Sequence, residues 1–464
     1  MSTAAARRFG VQKPIPWTNE SVLAIASGGD PLGAVVLRAR QSVFRAIEAG
    51  WSGPPYDPFA LAEFLRIPVE PRQDVIDART ICTGEGKFRI EFNPDRSPAR
   101  INFSVAHEIA HTLFPDCGEA IRNRYTHAEM KANDWELELL CNVAAAEILM
   151  PPGSFRPPED GAISIDAIIE LQRRFLVSTE AVLLRIAKLA DQECFVFASH
   201  RHERDGSYRI DYAAASRAWP VAPWTGFRLP KDSVVTECVA IGYTAKRNEE
   251  WVPGRGRWRV ECLGIAPFPE HTYPRVVGVV RPMNASTVHL GKIQYLRGDA
   301  TAPRGDGSKI IVQVVNDKAI VWGRGFAAAV RKRWPHAQKD FTQWVLTSHS
   351  EFRAGQVRIV TLETPLELAS LVAQHGYGPS LFPRIQYSAL EECLAKVAAH
   401  AKQANASVHM PRIGCGEAGG SWGIVSELID ETLCRNNIPV TVYDLPVGPR
   451  HSSRGRSNDS LSKN

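Results

Sequence analysis

Residues 102–114 read NFSVAHEIAHTLF, and the spacing inside this stretch decides how the first half of the chain is built. His107 and His111 stand four apart, so on a helix both imidazoles project from one face while Glu108 falls on the adjacent face. Apolar Phe103, Val105, Ile109, Leu113 and Phe114 flank them and bury one side of that helix. Two imidazoles at this spacing can share one zinc ion. Zinc lowers the pKa of water from about 15.7 to roughly 7, and Glu108 is placed to take the released proton as attack on a carbonyl begins. Peptide hydrolysis is the reaction such a site performs. A tetrahedral site needs a third protein ligand, which a second helix has to supply.

That second helix is expected at 134–150, an apolar-periodic stretch stopped by Pro151-Pro152. It offers Glu136, Glu138 and Glu147. Between the two helices lies a polar loop holding Asp116, His127 and Glu129, expected to border the cleft as surface groups. Further out, 34–49 and 57–66 read as amphipathic helices, 86–94 alternates like a strand ending at Asn93-Pro94, and 161–190 returns to helical period.

From Glu193 to Pro282 the composition turns to Val, Trp, Tyr, Gly and Pro, which suggests a β-rich middle region. Its Trp219, Trp224, Trp251 and Trp258 could line a pocket, although large aromatics in a β-rich layer more often fill a core. Beyond it, β runs at 310–315 and 357–362 alternate with helical stretches at 326–346, 387–404 and 422–436, the pattern of a crossover-connected sheet. The Ser/Arg/Asn-rich end reads as a disordered tail. The expected division is therefore an extension at 1–29, a mainly helical unit at 30–190, a middle region at 193–289, an α/β unit at 290–447 and a tail at 448–464. The fold class is multidomain, α+β and α/β.

Composition narrows the setting. The 464 residues are 44% hydrophobic and 23% charged, a globular balance too long for one core. No stretch reaches the roughly 18–20 apolar residues of a membrane span, and the first residues lack a signal-type apolar run. Nine scattered cysteines without a CxxC pair fit reduced thiols, so the cytoplasm is the expected compartment, with no membrane partner. A net charge of +5, much of it near the C-terminus, and no helix-turn-helix signature argue against direct DNA binding.

With these residues in view, NFSVAHEIAHTLF followed by ELLCNVAAAEILMPP resembles the ImmA/IrrE family of zinc metallopeptidases, over about residues 30–190. The resemblance implies a zincin-like helical domain with His107 and His111 as Zn2+ ligands, Glu108 as the catalytic base and Glu138 as third ligand. Asn142 takes the family's asparagine position and Leu149-Met150-Pro151 its ending, leaving Glu136 and Glu147 as solvated or salt-bridged surface carboxylates. Cys141 departs from the family's usual alanine, as a small core residue or a redox-sensitive neighbour of the metal. A repressor-like protein substrate and a bacterial stress or phage-response role follow from the same likeness.

The last third resembles a macro domain, over about 290–447, through Gly298-Asp299-Ala300-Thr301, VVNDKAIVWGRGFAAAVRKRWP, LVAQHG and HMPRIGCGEAGGSW with VTVYDL. Two glycine turns, one with Gly323 and Gly325, the other with Gly414, Cys415, Gly416, Glu417, Ala418 and Gly419, stand between strand and helix, where backbone N–H groups can cradle phosphates. Gly416 is expected to need a positive φ and close approach to the anion. The resemblance implies a three-layer α/β/α fold that binds ADP-ribose, with Asp299 and Ala300 near adenine, Asn316 facing the distal ribose and the 414–420 loop on the diphosphate. Hydrolases of the terminal-ADP-ribose type use a lysine on the strand preceding the second helix, and here that strand is read as Val360-Thr361-Leu362-Glu363. Its lack of a lysine favours a reader of ADP-ribose over an eraser. The expected activity is a metallo-endopeptidase directed by ADP-ribose or an ADP-ribosylated macromolecule; the alternatives are an ADP-ribosyl hydrolase with an accessory peptidase-like domain, or a non-catalytic reader.

Overall fold

A computed structural model describes residues 17–84, 87–117, 122–123, 133–155, 163–219, 225–251, 256–267, 272–283, 292–318, 320–347 and 352–445. His127, Glu129, Trp224 and the 448–464 tail lie outside the described residues.

The first region is helical, with a small sheet. Helix α1 (Glu20–Ala26) is capped by Asn19, and α2 (Pro31–Glu48) starts on Asp30, whose carboxylate accepts from the Leu32 and Gly33 amides, with Pro31 in the first turn. There follow α3 (Pro58–Phe64), strands β1 (Val69–Pro71), β2 (Ala78–Gly84) and β3 (Lys87–Phe92), helix α4 (Pro98–His111), strand β4 (Arg122–Asn123) and helix α5 (Asp134–Leu149). The strands form a sheet in the order β1-β3-β2-β4. Val22, Val35, Ala39, Ala110, Phe114, Leu137, Leu140 and Ala144 pack α1, α2, α4 and α5 into one apolar cluster. The helical run at 161–190 resolves into α6 (Ile165–Phe175) and α7 (Thr179–Leu189), broken at Leu176, whose φ of 51° lies in the left-handed region.

The middle region is a five-stranded antiparallel sheet in the order β6-β5-β9-β8-β7, from β5 (Phe195–Arg201), β6 (Tyr208–Ala215), β7 (Thr244–Glu249), β8 (Trp258–Ile265) and β9 (Arg275–Pro282). Trp219, Trp251 and Trp258 meet Phe195 edge-to-face at centroid distances of 5.4, 5.8 and 5.9 Å, so these tryptophans fill a core rather than line a pocket.

The last region is a six-stranded sheet between two helix layers. Its strands are β10 (Gln294–Arg297), β11 (Lys309–Asn316), β12 (Val357–Glu363), β13 (Leu366–Gln374), β14 (Ser407–Met410) and β15 (Val440–Asp444), ordered β10-β15-β14-β11-β13-β12. All pair in parallel except the edge strand β12. The expected helix 326–346 is two, α8 (Gly325–Arg333) and α9 (Pro335–Thr347), because Pro335 interrupts it; α10 (Tyr387–Ala404) and α11 (Trp422–Thr432) follow. Side chains alternate across the sheet. Ile311, Val315, Leu368 and Val372 meet α8 and α9 through Val330, Phe341 and Trp344, whereas Ile310, Val312, Leu371 and Val408 meet α10 and α11 through Leu390, Val397, Val425 and Ile429. This is the three-layer α/β/α arrangement, and the whole is a mixed α+β protein.

The first and last regions share one continuous core and a buried charge cluster. Arg40 on α2 is 3% exposed and bonds Glu147 of α5 at 3.1 Å, Glu391 of α10 at 2.8 Å and Glu431 of α11 at 2.5 Å. Arg185 of α7 joins Glu147 at 3.0 Å to Glu427 of α11 at 2.9 Å, and Lys188 also reaches Glu147. Burial lifts the Glu391 and Glu427 carboxyls above their ordinary value; for Glu147 the surrounding Arg185, Arg40 and Lys188 overcome burial and hold it low. Glu147 is therefore not the surface carboxylate expected from sequence. Neither is Glu136, which is 2% exposed and accepts from the Thr18 and Asn19 amides ahead of α1.

Candidate functional site

Helix α4 carries His107, Glu108 and His111, each at most 1% exposed, against helix α5. His107 Nε2 lies 3.0 Å from Glu138 Oε2 and His111 Nε2 lies 3.5 Å from Glu138 Oε1, so one α5 carboxylate faces both imidazoles. On its other edge His107 Nδ1 meets Asn142 Oδ1 at 3.0 Å. An amide oxygen can only accept, so this contact puts the proton on Nδ1 and turns the Nε2 lone pair toward Glu138. Neither Nε2 has a hydrogen bond of proper geometry. Two buried lone pairs facing a carboxylate are unfavourable without a cation among them, and a divalent metal satisfies all three groups. Burial would raise the Glu138 carboxyl, but hydrogen bonds and charge from His107 and His111 hold it well below the usual carboxylate range, so it is an anionic donor.

Cys141 also lies here. Its Sγ, with one nitrogen of each histidine, falls within a 4.8 Å group able to hold a metal. That Sγ sits 3.4 Å from His111 Nδ1, on the ring edge away from Glu138. The two Nε2 atoms face Glu138, whereas Cys141 and Asn142 stand beside the Nδ1 atoms of His111 and His107. His107, His111, Glu138 and Cys141 are the groups gathered here that could hold a metal. Glu108 accepts from Thr80 Oγ1 on β2 at 2.8 Å, and the same hydroxyl reaches the Glu108 carbonyl at 3.1 Å, which fixes this carboxylate against the sheet. Nothing in the spacing of the HEIAH helix identified Thr80; the sheet brings it there.

In the last region every sequence-picked residue outside α8 gathers at the carboxyl edge of the parallel strands. Asp299 and Ala300 follow β10, Asn316 ends β11, and Gly414, Cys415, Gly416, Glu417, Ala418 and Gly419 follow β14. Gly323 and Gly325 lead into α8, Gly325 with a φ of 56°. Strand β11 feeds helices on one face while its neighbours β13 and β14 feed α10 and α11 on the other, and such a switch point opens a ligand crevice at the strand ends. Asp299 Oδ1 accepts from the Thr301 amide at 2.8 Å, and the Ala418 carbonyl accepts from the Arg384 and Ile385 amides, tying the glycine loop to the loop after β13.

Two expectations are corrected. Gly414 and Gly419, with φ of 71° and 68°, carry the positive backbone angles of the glycine loop, not Gly416, beside which a Cβ would meet only open space. The strand leading into α10 is β13, ending at Gln374, whereas Val360–Glu363 belongs to the antiparallel edge strand β12. Both segments are short and apolar, and only their pairing tells the antiparallel edge strand from the crossover strand.

These observations define a protein that joins a buried histidine pair, with Glu138 and Cys141 beside it, to a parallel α/β/α crevice. Residues 77–187 match the IrrE N-terminal-like domain of the Peptidase_M78 family, which covers α4 and α5 and leaves α1–α3 outside the match. Chromodomain-helicase-DNA-binding protein 1-like from Mus musculus is 31% identical over 177 residues, 36% of this chain, and the chain spans only 19% of that relative. A macrodomain protein from Streptomyces coelicolor is 42% identical, covering 33% of this chain and 99% of its own, with a TM-score of 0.30. A protein of unknown function from Bacteroides thetaiotaomicron is 44% identical, covering 33% of this chain and 98% of its own, with a TM-score of 0.32. Among the described residues no single helix is long and apolar enough to cross a membrane.

Proposed function

We propose that this chain is a zinc-dependent endopeptidase whose cleavage is directed by ADP-ribose, or by an ADP-ribosylated partner, held at the carboxyl-edge crevice. The observation that carries the peptidase reading is the pair of buried Nε2 atoms turned onto the single Glu138 carboxylate. In this reading His107, His111 and Glu138 hold the zinc, which supplies Lewis-acid polarisation of a peptide carbonyl and a more acidic water. Glu108 takes the proton from the attacking water and passes it to the leaving amine, and Thr80 keeps the carboxylate aimed. Asn142 holds His107 in the tautomer that leaves its Nε2 available.

The peptidase domain then extends over 30–190 and a macro domain over 290–447, with 193–289 between them. The likeness of the last third to macro domains, together with a crevice where the glycine loops open, supports ADP-ribose as ligand. Asp299 accepts from the adenine amino group, the 414–420 loop and the α8 N-terminus take the diphosphate, and Asn316 lies toward the distal ribose. Nine free thiols support a reducing, cytoplasmic setting. A repressor-like substrate in a bacterial stress or phage response belongs to the same proposal.

The test uses the zinc-loaded full chain and a peptide library read by mass spectrometry. Glu108→Gln keeps the metal and lowers cleavage at least a hundredfold, because only the proton acceptor is lost. Undiminished cleavage by Glu108→Gln removes Glu108 from the reaction.

A further inference from the structure

Residues 318–339 hold six lysines and arginines, Lys318, Arg324, Arg331, Lys332, Arg333 and Lys339, and no aspartate or glutamate. Six basic and no acidic residues give this segment +6, more than the +5 of the whole chain. The overall balance, from which no DNA contact is expected, therefore does not describe this face. The carboxylates that flank the segment are engaged. Asp317 bonds His375 Nδ1 at 2.8 Å, and both oxygens of Asp340 take the Arg358 guanidinium at 2.8 Å.

Helix geometry puts these charges on the outside. Val330 and Trp334, one turn apart, are buried and pack toward the sheet. Ala328 and Lys332 stand about 160° and 200° round the helix from Val330, on the side away from the sheet. Arg324, Lys332, Arg333 and Lys339 are exposed, and Arg331 is half-buried on the same flank as Arg324, seven residues before it. Arg333 lies over the Trp334 ring at 4.8 Å, which holds its guanidinium across the end of α8. The helix dipole favours cations in the last turn and so suits Arg331, Lys332 and Arg333. It does not account for Arg324, at the end where the dipole repels a cation, for Lys339 inside α9, or for the lack of any acid among them; a merely solvated face mixes both signs.

The chemistry of the face selects its partner. An acidic protein would need apolar anchors, yet no large apolar side chain of α8 is exposed, and Ala328 and Ala329 stand between the charges. A single strand would need aromatic platforms for its bases, which this face lacks. Duplex phosphates need neither. From Arg324 to Lys332 the helix rises about 12 Å, a length over which duplex DNA carries about seven charges, and the alanines let its backbone lie close. We infer that the outer face of α8, with the start of α9, docks duplex DNA through its phosphates without reading sequence. The inference stands independently of what the crevice binds.

The experiment titrates the full chain against short, labelled duplexes of unrelated sequence by fluorescence anisotropy at several salt concentrations. Wild type binds them alike, with a Kd on the order of 10 µM at about 100 mM salt, and log K falls against log salt with a slope of about −4. Arg331→Glu with Lys332→Glu weakens binding at least tenfold, flattens the slope by about 2 and leaves the unfolding midpoint in place. Lys339→Glu, on the neighbouring helix, weakens binding by itself about threefold, whereas Lys332→Arg keeps the affinity. Serine at Arg450, Arg454 and Arg456, in the basic C-terminal segment, leaves binding in place. Absence of duplex binding by wild type, undiminished binding by the charge-reversed variants, or loss of binding in the serine variant instead overturns the inference. Displacement of the duplex by polyglutamate at equal charge also overturns it, and assigns the face to acidic proteins.

Discussion

Arg40→Ala removes the one cation that Glu391 and Glu431 share. Both carboxylates are largely buried, at 17% and 13% exposure, and among the described residues no other cation is paired with either; Glu147 keeps Arg185 and Lys188. Breaking a buried ion pair from one side costs about 3–5 kcal/mol, because the surviving charge stays desolvated. Loss of the apolar stem of Arg40 adds to this. We therefore expect about 3–5 kcal/mol lost at pH 8, measured by guanidinium unfolding followed through tryptophan fluorescence. The sign with pH follows from the same picture. Without Arg40 the native carboxyls titrate above their unfolded values, so the deficit is largest at high pH and shrinks as pH falls toward the range where they protonate. As a control, Arg40→Met with Glu391→Leu and Glu431→Leu removes charge on both sides and recovers most of the loss. A deficit below about 1 kcal/mol for Arg40→Ala at pH 8 refutes the claim that this cluster holds α2 and α5 to α10 and α11.

Three further outcomes are expected. Gly153 has a φ of 77°, and a Cβ there would stand 2.3 Å from the Ile424 amide nitrogen, so Gly153→Ala forces α11 away and lowers the unfolding free energy by more than about 1 kcal/mol; an unchanged midpoint contradicts the close approach. Burial pushes His409 down to about 4, between Ser407 and Tyr443, so the unfolded chain binds the proton first and stability present above pH 6.5 is lost as pH falls toward 4; His409→Asn flattens that part of the unfolding free energy against pH, and an identical slope rejects it. Gly416→Val has open space for its side chain, so the fold is kept while calorimetric affinity for ADP-ribose drops at least tenfold; unchanged affinity moves the ligand off this loop.

What was legible in the sequence were features with a local period. The four-residue spacing of His107 and His111, the stop at Pro151 and the β run at 310–315 each report a single element, and the structure places α4, α5 and β11 there within a few residues. Breaks inside long helical patterns leave no period of their own because one residue decides each, Leu176 in a left-handed conformation and Pro335 starting a new helix. Relations between elements were not legible. Thr80 reaches Glu108 only because β2 packs on α4, and Glu147, about two and a half turns beyond Glu138 on α5, is a buried anion only because Arg40 and Arg185 converge on it from α2 and α7.

The account stands most directly on which α5 carboxylate holds the metal. Metal analysis of the full chain purified with zinc should give about one zinc per wild-type chain, loss of it in Glu138→Ala, and retention in Glu136→Ala, which only removes the acceptor for the Thr18 and Asn19 amides. Zinc kept by Glu138→Ala, or lost equally from both variants, would contradict a centre built from His107, His111 and Glu138.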